Sequence, residues 1–232
     1  RFQTSPHGAI IMTGLFLIRT SIVAFSFMIP FKVYAHHPLA GTPMETFAHG
    51  ILSGVGHPLL GFDHLFFVLV MGIVAVFTLR RYSMPFAYIT AMLLGCLAMA
   101  KGVGLPAKEL VIAVSLIVLG AAVFRGKMLG IAPTIVLFAG FGLFHGSAFG
   151  DSIAAQEAVL GTKVLIGYLI GLGVIQYAVA FGAGWFIKNI LHAVEANDIR
   201  VRISGGMVAG AGAFLLLENL ESMVFSAIGI VS

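Results

Sequence analysis

The chain alternates between long apolar runs and short polar or glycine-proline gaps. At a rise of about 1.5 Å per residue, such runs approach or reach the length that a helix needs to cross a bilayer. Six of them follow residue 57, at about 58–79, 84–103, 107–124, 130–144, 162–187 and 203–225. The pattern therefore predicts an all-α, polytopic membrane helical bundle with six core transmembrane helices.

Two shorter stretches precede the six runs. Residues 1–35 combine a basic start, an apolar core and the tripeptide Val33-Tyr34-Ala35, which resembles a signal-peptide cleavage site. This segment is predicted to be a signal peptide or an uncleaved N-terminal anchor helix, and 36–232 to be the membrane domain. Residues 46–56 have a helical pattern but are too short to span, which predicts an interfacial or partly re-entrant piece. Pro58 is predicted to start the first core span.

Composition supports this class. The chain is 59% hydrophobic and 9% charged, whereas a soluble domain carries roughly 25% charged residues. Too few charges remain to cover a water-facing surface, so the bilayer is the expected partner. The net charge of +4 is small, and its basic residues lie in gaps between apolar runs, which argues against nucleic-acid binding. Cys96 is the single cysteine, so no internal disulfide and no cysteine-rich metal site are possible.

Basic residues are distributed unequally between the two sides of such a bundle. The gaps after the first, third and fifth predicted spans are rich in Lys and Arg. The other side of the bundle has only Lys101, Lys108 and Lys163 near its span ends. Those gaps contain Arg80, Arg81, Arg125, Lys127, Lys188, Arg200 and Arg202. By the positive-inside rule they are cytoplasmic, which predicts a multi-pass inner-membrane protein whose mature termini are both extracytoplasmic.

Glycines recur at a spacing of four within the later runs. Gly142/Gly146, Gly167/Gly171 and Gly206/Gly210 are each small-x-x-x-small pairs. Because such pairs let helix backbones approach closely, they predict tight contacts among the fourth, fifth and sixth spans.

Ionisable side chains form two clusters at predicted span ends. His57, Asp63 and His64 lie at the start of the first span, and His145 and Asp151 follow the end of the fourth, on the same outer side. Ionisable groups at membrane depth are costly and usually functional. Imidazole and carboxylate ligands suit nickel, cobalt, zinc or iron, and the lack of thiolate argues against copper(I). We predict that the two clusters meet and bind a divalent transition metal.

The spacing within the first cluster constrains its shape. On an unbroken helix His57 and His64 would share one face but lie roughly 10 Å apart along the axis, too far for one ion. Either Pro58 and Gly61 bend the segment, or the two histidines serve different sites on one path. Asp63 is expected to bind the metal directly or to orient a histidine through its second ring nitrogen.

Other polar residues are further candidates. His49 is either a ligand or a headgroup-level hydrogen-bonding residue, and His36 with His37 is either a nitrogen-rich chelate after cleavage or an exposed terminus. Glu218, near the outer end of the sixth span, and Gln176, within the fifth, are candidates for the transport path. Each of these two is equally explained by hydrogen bonding between helices.

The residues of both clusters resemble a known family. His57-Pro58-Leu59-Leu60-Gly61-Phe62-Asp63-His64 resembles the signature of the HupE/UreJ family of nickel and cobalt permeases, and 144–148 resembles the first part of its second motif. The resemblance implies a secondary permease that brings in Ni²⁺, or Co²⁺ in some members, with His57, Asp63, His64 and His145 as functional residues. The family usually has a second histidine where Phe149 stands and a glutamate where Ser152 stands.

Two alternatives of other classes remain. One is a non-transporting subunit of a larger membrane complex that binds a metal, haem or pigment through its histidines. The other is an intramembrane hydrolase using Ser147 with His145, which no second nucleophile motif supports, so no enzyme activity is expected. The chain has no phosphate-binding G-x-x-x-x-G-K-[ST] loop, so transport is expected to be passive, ion-coupled or driven by a separate subunit. A homo-oligomer or a membrane-complex partner is left open.

Overall fold

The computed structural model describes residues 44–127, 129–154 and 161–229, with Ser152 described by its backbone alone. The predicted signal or anchor segment 1–35 and the candidate ligands His36 and His37 lie outside the described residues. Within them the chain forms seven α-helices. These are α1 (Phe47–Leu60), α2 (Phe62–Val76), α3 (Met84–Ala100), α4 (Lys108–Phe124), α5 (Ile131–Ala154), α6 (Thr162–Asn189) and α7 (Ile199–Ala227).

The predicted all-α, polytopic membrane architecture is confirmed at this level. Helices α5, α6 and α7 are long and apolar enough to cross a membrane, and α1 with α2 forms a fourth candidate if the bent pair is one span. Helix α3 is a shorter apolar helix of 17 residues, and α4 has the same length. Length and composition thus identify three to four candidate spans among the described residues.

The start of the first predicted span is wrong. Pro58 lies inside α1, which begins after the cap residue Thr46 and ends at Gly61, where the chain bends by 82° into α2. Proline has no N–H for the helical bond to the carbonyl four residues earlier, so the helix continues for less than one turn beyond Pro58. Gly61 then adopts an extended conformation, with φ −84° and ψ 98°. Residues 47–56 therefore share one helix with His57, whereas Asp63 and His64 belong to the next helix.

The predicted end of the fourth span is also wrong. Helix α5 does not stop at Phe144 but continues through His145 to Ala154. Gly146 lies inside the helix because it packs against the backbone of α3, where a Cβ would clash with the Met92 carbonyl oxygen. The glycines near His145 thus allow close helix packing rather than freeing the backbone.

Two of the three predicted glycine pairs do pack closely, although against other helices than predicted. Gly142 and Gly146 of α5 contact α3, and Gly167 and Gly171 of α6 contact the backbone of α1. The third pair is wrong, because a Cβ at Gly210 would meet no atom within 4 Å. Helix α7 instead approaches α4 through Gly205, whose Cβ would lie 2.7 Å from the Gly120 carbonyl oxygen.

Helix α2 is the central element of the bundle. The most extensive helix contacts pair α1 with α6, α3 with α5 and α4 with α7, while α2 packs against α6, α4 and α7 and more lightly against α1 and α3. Every residue from 70 to 75 of α2 is buried, so this helix shows no exposed face there. The outer helices expose large apolar side chains, such as Val174, Met207 and Phe214, as expected for lipid contact. His64, in the first turn of α2, therefore lies at one end of the buried core.

Candidate metal-binding site

The bend at Gly61 brings the two histidines of the first motif together. His57, near the end of α1, and His64, in the first turn of α2, have ring centroids 6.2 Å apart. A Cβ at Gly61 would lie 3.0 Å from His64 Cδ2 and 3.2 Å from Asp63 Oδ1. A larger residue here would therefore crowd the two site residues, although the φ of Gly61 would suit any residue.

The second motif reaches the first through His145. The Nδ1 atoms of His64 and His145 are 2.8 Å apart, and both side chains are buried, His145 completely. Phe67 and Tyr88 pack around the His145 ring, with centroids 4.6 and 5.7 Å from it. The two sequence motifs, on α2 and α5, thus meet inside the bundle.

A chain of hydrogen bonds assigns the protons of this pair. Ser115 Oγ donates to the Ile112 carbonyl at 2.6 Å, so it accepts from His145 Nε2 at 3.0 Å, because a hydroxyl has one proton. A neutral His145 then has its lone pair on Nδ1, and His64 Nδ1–H donates to it. A neutral His64 then has its lone pair on Nε2, the nitrogen 3.7 Å from Asp63 Oδ2, whereas a protonated His64 would pair with that carboxylate.

His57 is positioned by a second chain of the same kind. Tyr168 Oη donates to the Phe149 carbonyl at 3.2 Å, so its oxygen accepts from His57 Nδ1–H at 3.1 Å. The lone pair of neutral His57 is therefore on Nε2. Metal-binding histidines in proteins commonly donate their other ring N–H to an oxygen acceptor, which fixes the ring and the tautomer.

Phe149 occupies the space between these imidazoles. Its fully buried ring lies 5.0 Å from the His57 ring and 4.1 Å from the His64 ring, measured between centroids. An apolar ring at this point gives no ligand to a metal.

Acidic residues lie towards the more open side. Asp63 has a side chain 23% exposed, compared with 7% for His64, so exposure falls from Asp63 through His64 to His145. Asp151 forms an ion pair with Lys108, and both act electrostatically, together with Asp63, on the Glu109 carboxylate. An acidic rim of Asp63, Glu109 and Asp151, partly neutralised by Lys108, thus lies towards the more exposed side of the histidine cluster.

The described residues contain no group of three or more His, Cys, Asp or Glu side chains that could bind a metal ion as they stand. Two imidazoles are in direct contact, with His57 and Asp63 beside them. The four predicted ligands His57, Asp63, His64 and His145 are therefore neighbours, but they do not form a coordination sphere in this arrangement.

The remaining candidates have other contacts. The His49 ring accepts the Glu45 backbone N–H at 3.3 Å, and the His49 backbone N–H donates to the Thr46 hydroxyl at 3.1 Å. Gln176 is buried in α6, where its amide nitrogen contacts the Leu172 carbonyl and Met92 Sδ. Glu218 lies exposed on α7. None of these contacts joins them to the histidine cluster.

The Ser147 hydroxyl accepts the Leu105 N–H at 3.0 Å, which ties the loop before α4 to α5. Both nitrogens of His145 contact other groups, Nδ1 that of His64 and Nε2 that of Ser115. These contacts give the hydrolase alternative no support.

Comparison with known proteins agrees with the motif resemblance. The family model described as HupE / UreJ protein matches residues 23–215. The chain belongs to the HupE/UreJ family. It is 28% identical over 180 residues to Protein HupE of Rhizobium leguminosarum bv. viciae, covering 73% of this chain and 86% of that protein. No solved structure matches it. The HupE/UreJ family is associated with nickel and cobalt uptake, and its members are transporters rather than enzymes.

Three residues near the site were not predicted from the sequence. Ser115 and Tyr168 lie on predicted spans without a nearby motif, and Glu109 opens α4 on the side that carries both histidine clusters. A polar side chain inside an apolar run was the available signal for Ser115 and Tyr168. For Glu109 the available signal was its position at the end of a predicted span on the outer side.

Proposed function

We propose that this chain is a permease that moves Ni²⁺, and Co²⁺ as a second cargo, across the cytoplasmic membrane through the histidine cluster. The observation that carries the proposal is the buried contact between His64 and His145, which joins the two family motifs at the end of the central helix. Burying imidazoles inside a membrane protein costs free energy, and proteins that contain such groups usually use them for function.

Exposure gives the path a direction. The outer stage consists of the Asp63 carboxylate with the Nε2 atoms of His57 and His64, because those nitrogens have the lone pairs in the assigned tautomers. The inner stage is the pair of Nδ1 atoms of His64 and His145. His64 belongs to both stages, so an ion that moves around its ring passes from the wet rim to the buried side.

Binding of one ion by both inner-stage Nδ1 atoms requires a change from the hydrogen-bonded contact. The two nitrogens are 2.8 Å apart with one proton on the line between them, whereas an ion bound by both lies off that line. The ion therefore replaces the His64 Nδ1–H, and the neutral His64 ring then has its proton on Nε2, the nitrogen that the ion has left. Imidazole ligands suit Ni²⁺, Co²⁺ and Zn²⁺ alike, so the cargo is proposed from the family and not from this distance.

The bundle is proposed to have six spans, with α1 and α2 counted as one bent span. Helices α3 and α4, each about 25 Å long, are at the lower limit for crossing a bilayer. The basic residues after α2, α4 and α6 predict a cytoplasmic side there and an outward-facing histidine cluster. Inward of it, Gln176 Oε1 is a buried acceptor without a hydrogen-bond partner among the described residues, and we include it in the path. Glu218, exposed on α7, remains a predicted path residue.

Uptake of radiolabelled Ni²⁺ into proteoliposomes tests the function. The wild type is expected to accumulate the ion, and His64→Ala is expected to lose uptake by at least about tenfold, because His64 is a ligand in both stages. His192→Asn is the matched control, since His192 is exposed in the loop after α6 and its φ of 53° suits asparagine. Equal uptake by all three proteins, or none by the wild type, would refute the proposal. A porphyrin absorbance band in the purified protein would instead favour the pigment-binding alternative.

A further inference from the structure

A cavity lies at the far end of the central helix from the histidines. It has a volume of about 330 Å³ and is lined by residues from the end of α2, the loop after it, the start of α3 and α6. Ala75 on its wall is 11 residues, or roughly 16 Å along α2, from His64. Two of the lining residues are cations, Arg81 and Lys188, on the side that the basic-residue distribution predicts to be cytoplasmic.

Among the described residues, neither cation has a carboxylate partner. The ion pairs of the described residues involve neither Arg81 nor Lys188. The Arg81 guanidinium lies 4.7 Å from the centroid of the Tyr82 ring, and Lys188 Nζ lies 4.6 Å from that of Phe77. Lys188 also donates one hydrogen bond to the Val194 carbonyl, which leaves two of its three donors for a ligand. A cavity with two such cations favours an anion.

An apolar groove adjoins the cavity. It has a volume of about 430 Å³, lies between α3 and α6, and shares Tyr177 with the cavity. The Tyr177 hydroxyl donates to the Tyr82 carbonyl at 3.2 Å, and its ring stacks on Phe86. From Tyr177 to Leu169 the groove follows α6 for eight residues, about 12 Å, which approaches the roughly 15 Å depth of one leaflet.

We propose that the cavity and the groove together bind one anionic phospholipid. The phosphate group lies between Arg81 and Lys188, and one acyl chain lies in the groove between α3 and α6. A soluble phosphate would satisfy the cations alone, whereas the continuous apolar groove favours an amphiphile. Tyr82, Tyr177 and Trp185 line the cavity, and such amphipathic rings are typical of the headgroup level. This site is independent of the proposed metal transport.

Native mass spectrometry of the delipidated full chain tests the site. Titration with phosphatidylglycerol is expected to show one bound lipid with higher affinity than phosphatidylcholine. Arg81→Gln and Lys188→Gln are each expected to lower the phosphatidylglycerol affinity about fivefold, the usual effect of one basic residue near an anionic lipid. Arg80→Gln is the matched control, because Arg80 is exposed and does not line the cavity, and it is expected to bind like the wild type.

A second pair of variants separates the lipid from a free phosphate. A Cβ at Gly173 would contact Ile89 and Leu93 at 3.6 and 3.7 Å, so Gly173→Leu fills the groove without a backbone clash. It is expected to weaken phosphatidylglycerol binding, while Gly140→Leu, at a glycine with no atom within 4 Å of its Cβ position, is expected to leave it unchanged.

Inorganic phosphate at equal concentration is expected not to displace the lipid. Displacement by phosphate with no effect of Gly173→Leu would identify a soluble anion as the ligand and overturn the lipid assignment. Equal effects of Arg80→Gln and Arg81→Gln would overturn the site itself.

Discussion

The Nδ1 atoms of His64 and His145 are 2.8 Å apart, although 81 residues separate the two histidines in the chain. The contact depends on two helices that begin and end differently from the predicted spans. Gly61 turns α2 away from α1, and α5 continues past residue 144, so that each imidazole lies within a helix at the start of the core. The family motifs therefore define one buried cluster.

Replacing Phe149 with histidine is expected to tighten Ni²⁺ binding by about tenfold or more. Its ring lies between those of His57 and His64, so an imidazole at this position supplies a third nitrogen ligand in the space that now excludes one. Isothermal titration of the purified protein measures the change. Phe149→Leu is the control, because it removes the ring without adding a ligand, and it should bind no more tightly than the wild type. Weaker binding by Phe149→His than by Phe149→Leu would show that the position is not beside the metal.

Removing the Tyr168 hydroxyl is expected to weaken Ni²⁺ binding by about 10–100-fold without removing a ligand. Tyr168 accepts the His57 Nδ1–H and so fixes the tautomer that directs Nε2 to the metal. Equilibrium binding to Tyr168→Phe measures this effect. Tyr177→Phe, on the same helix, removes a hydroxyl that bonds to a backbone carbonyl and should bind Ni²⁺ normally.

The Tyr168 variant also loses the proton donor to the Phe149 carbonyl. The Phe149 carbonyl lies within helix α5, so the loss of this one buried hydrogen bond is expected to cost roughly 0.5–1.5 kcal/mol of folding stability. Binding is therefore compared well below the melting temperature of each protein. Identical affinities for Tyr168→Phe and Tyr177→Phe would exclude a role of Tyr168 in positioning His57.

Adding a single methyl group at Gly61 is expected to lower Ni²⁺ affinity about tenfold. Its Cβ would crowd His64 Cδ2 and Asp63 Oδ1, while the backbone conformation remains suitable for alanine. The effect should therefore appear in metal binding more than in thermal stability. Gly140→Ala adds the same group in open space and serves as the control. A fall in stability at unchanged affinity would assign Gly61 a purely structural role.

Much of the fold could be predicted from the apolar pattern, and the rest could not for identifiable reasons. The starts of α3 and α6 agree with the predicted spans because cap and turn residues mark them. The span start predicted at Pro58 is wrong because proline, although frequent at the first position of a helix, lies here in the last turn of α1, where its missing N–H limits how far the helix continues. The glycines after Phe144 indicated a helix end, but packing against Met92 keeps them helical.

The site, like the fold, could be predicted from the sequence only in part. The motif residues indicate that His57, Asp63, His64 and His145 act together, and of the two interpretations of their spacing the structure has the bend between His57 and His64. The residues that position them, Ser115 and Tyr168, depend on contacts across helices that no local spacing encodes. Asp151 is a predicted ligand, and in the structure it forms an ion pair with Lys108 at the acidic rim of the histidine cluster.

The most direct test of the two-stage path is Ni²⁺ binding and Ni²⁺ uptake measured side by side for His145→Ala. His145 is not a ligand of the outer stage, but it accepts the His64 Nδ1–H, so equilibrium Ni²⁺ binding is expected to weaken by about 10–100-fold, as for Tyr168→Phe. Uptake into proteoliposomes at a Ni²⁺ concentration that saturates binding is expected to remain at least about tenfold below the wild type, because the buried ligand of the inner stage is lost. Uptake at the wild-type rate by this variant would contradict the proposal that metal passes between His64 and His145.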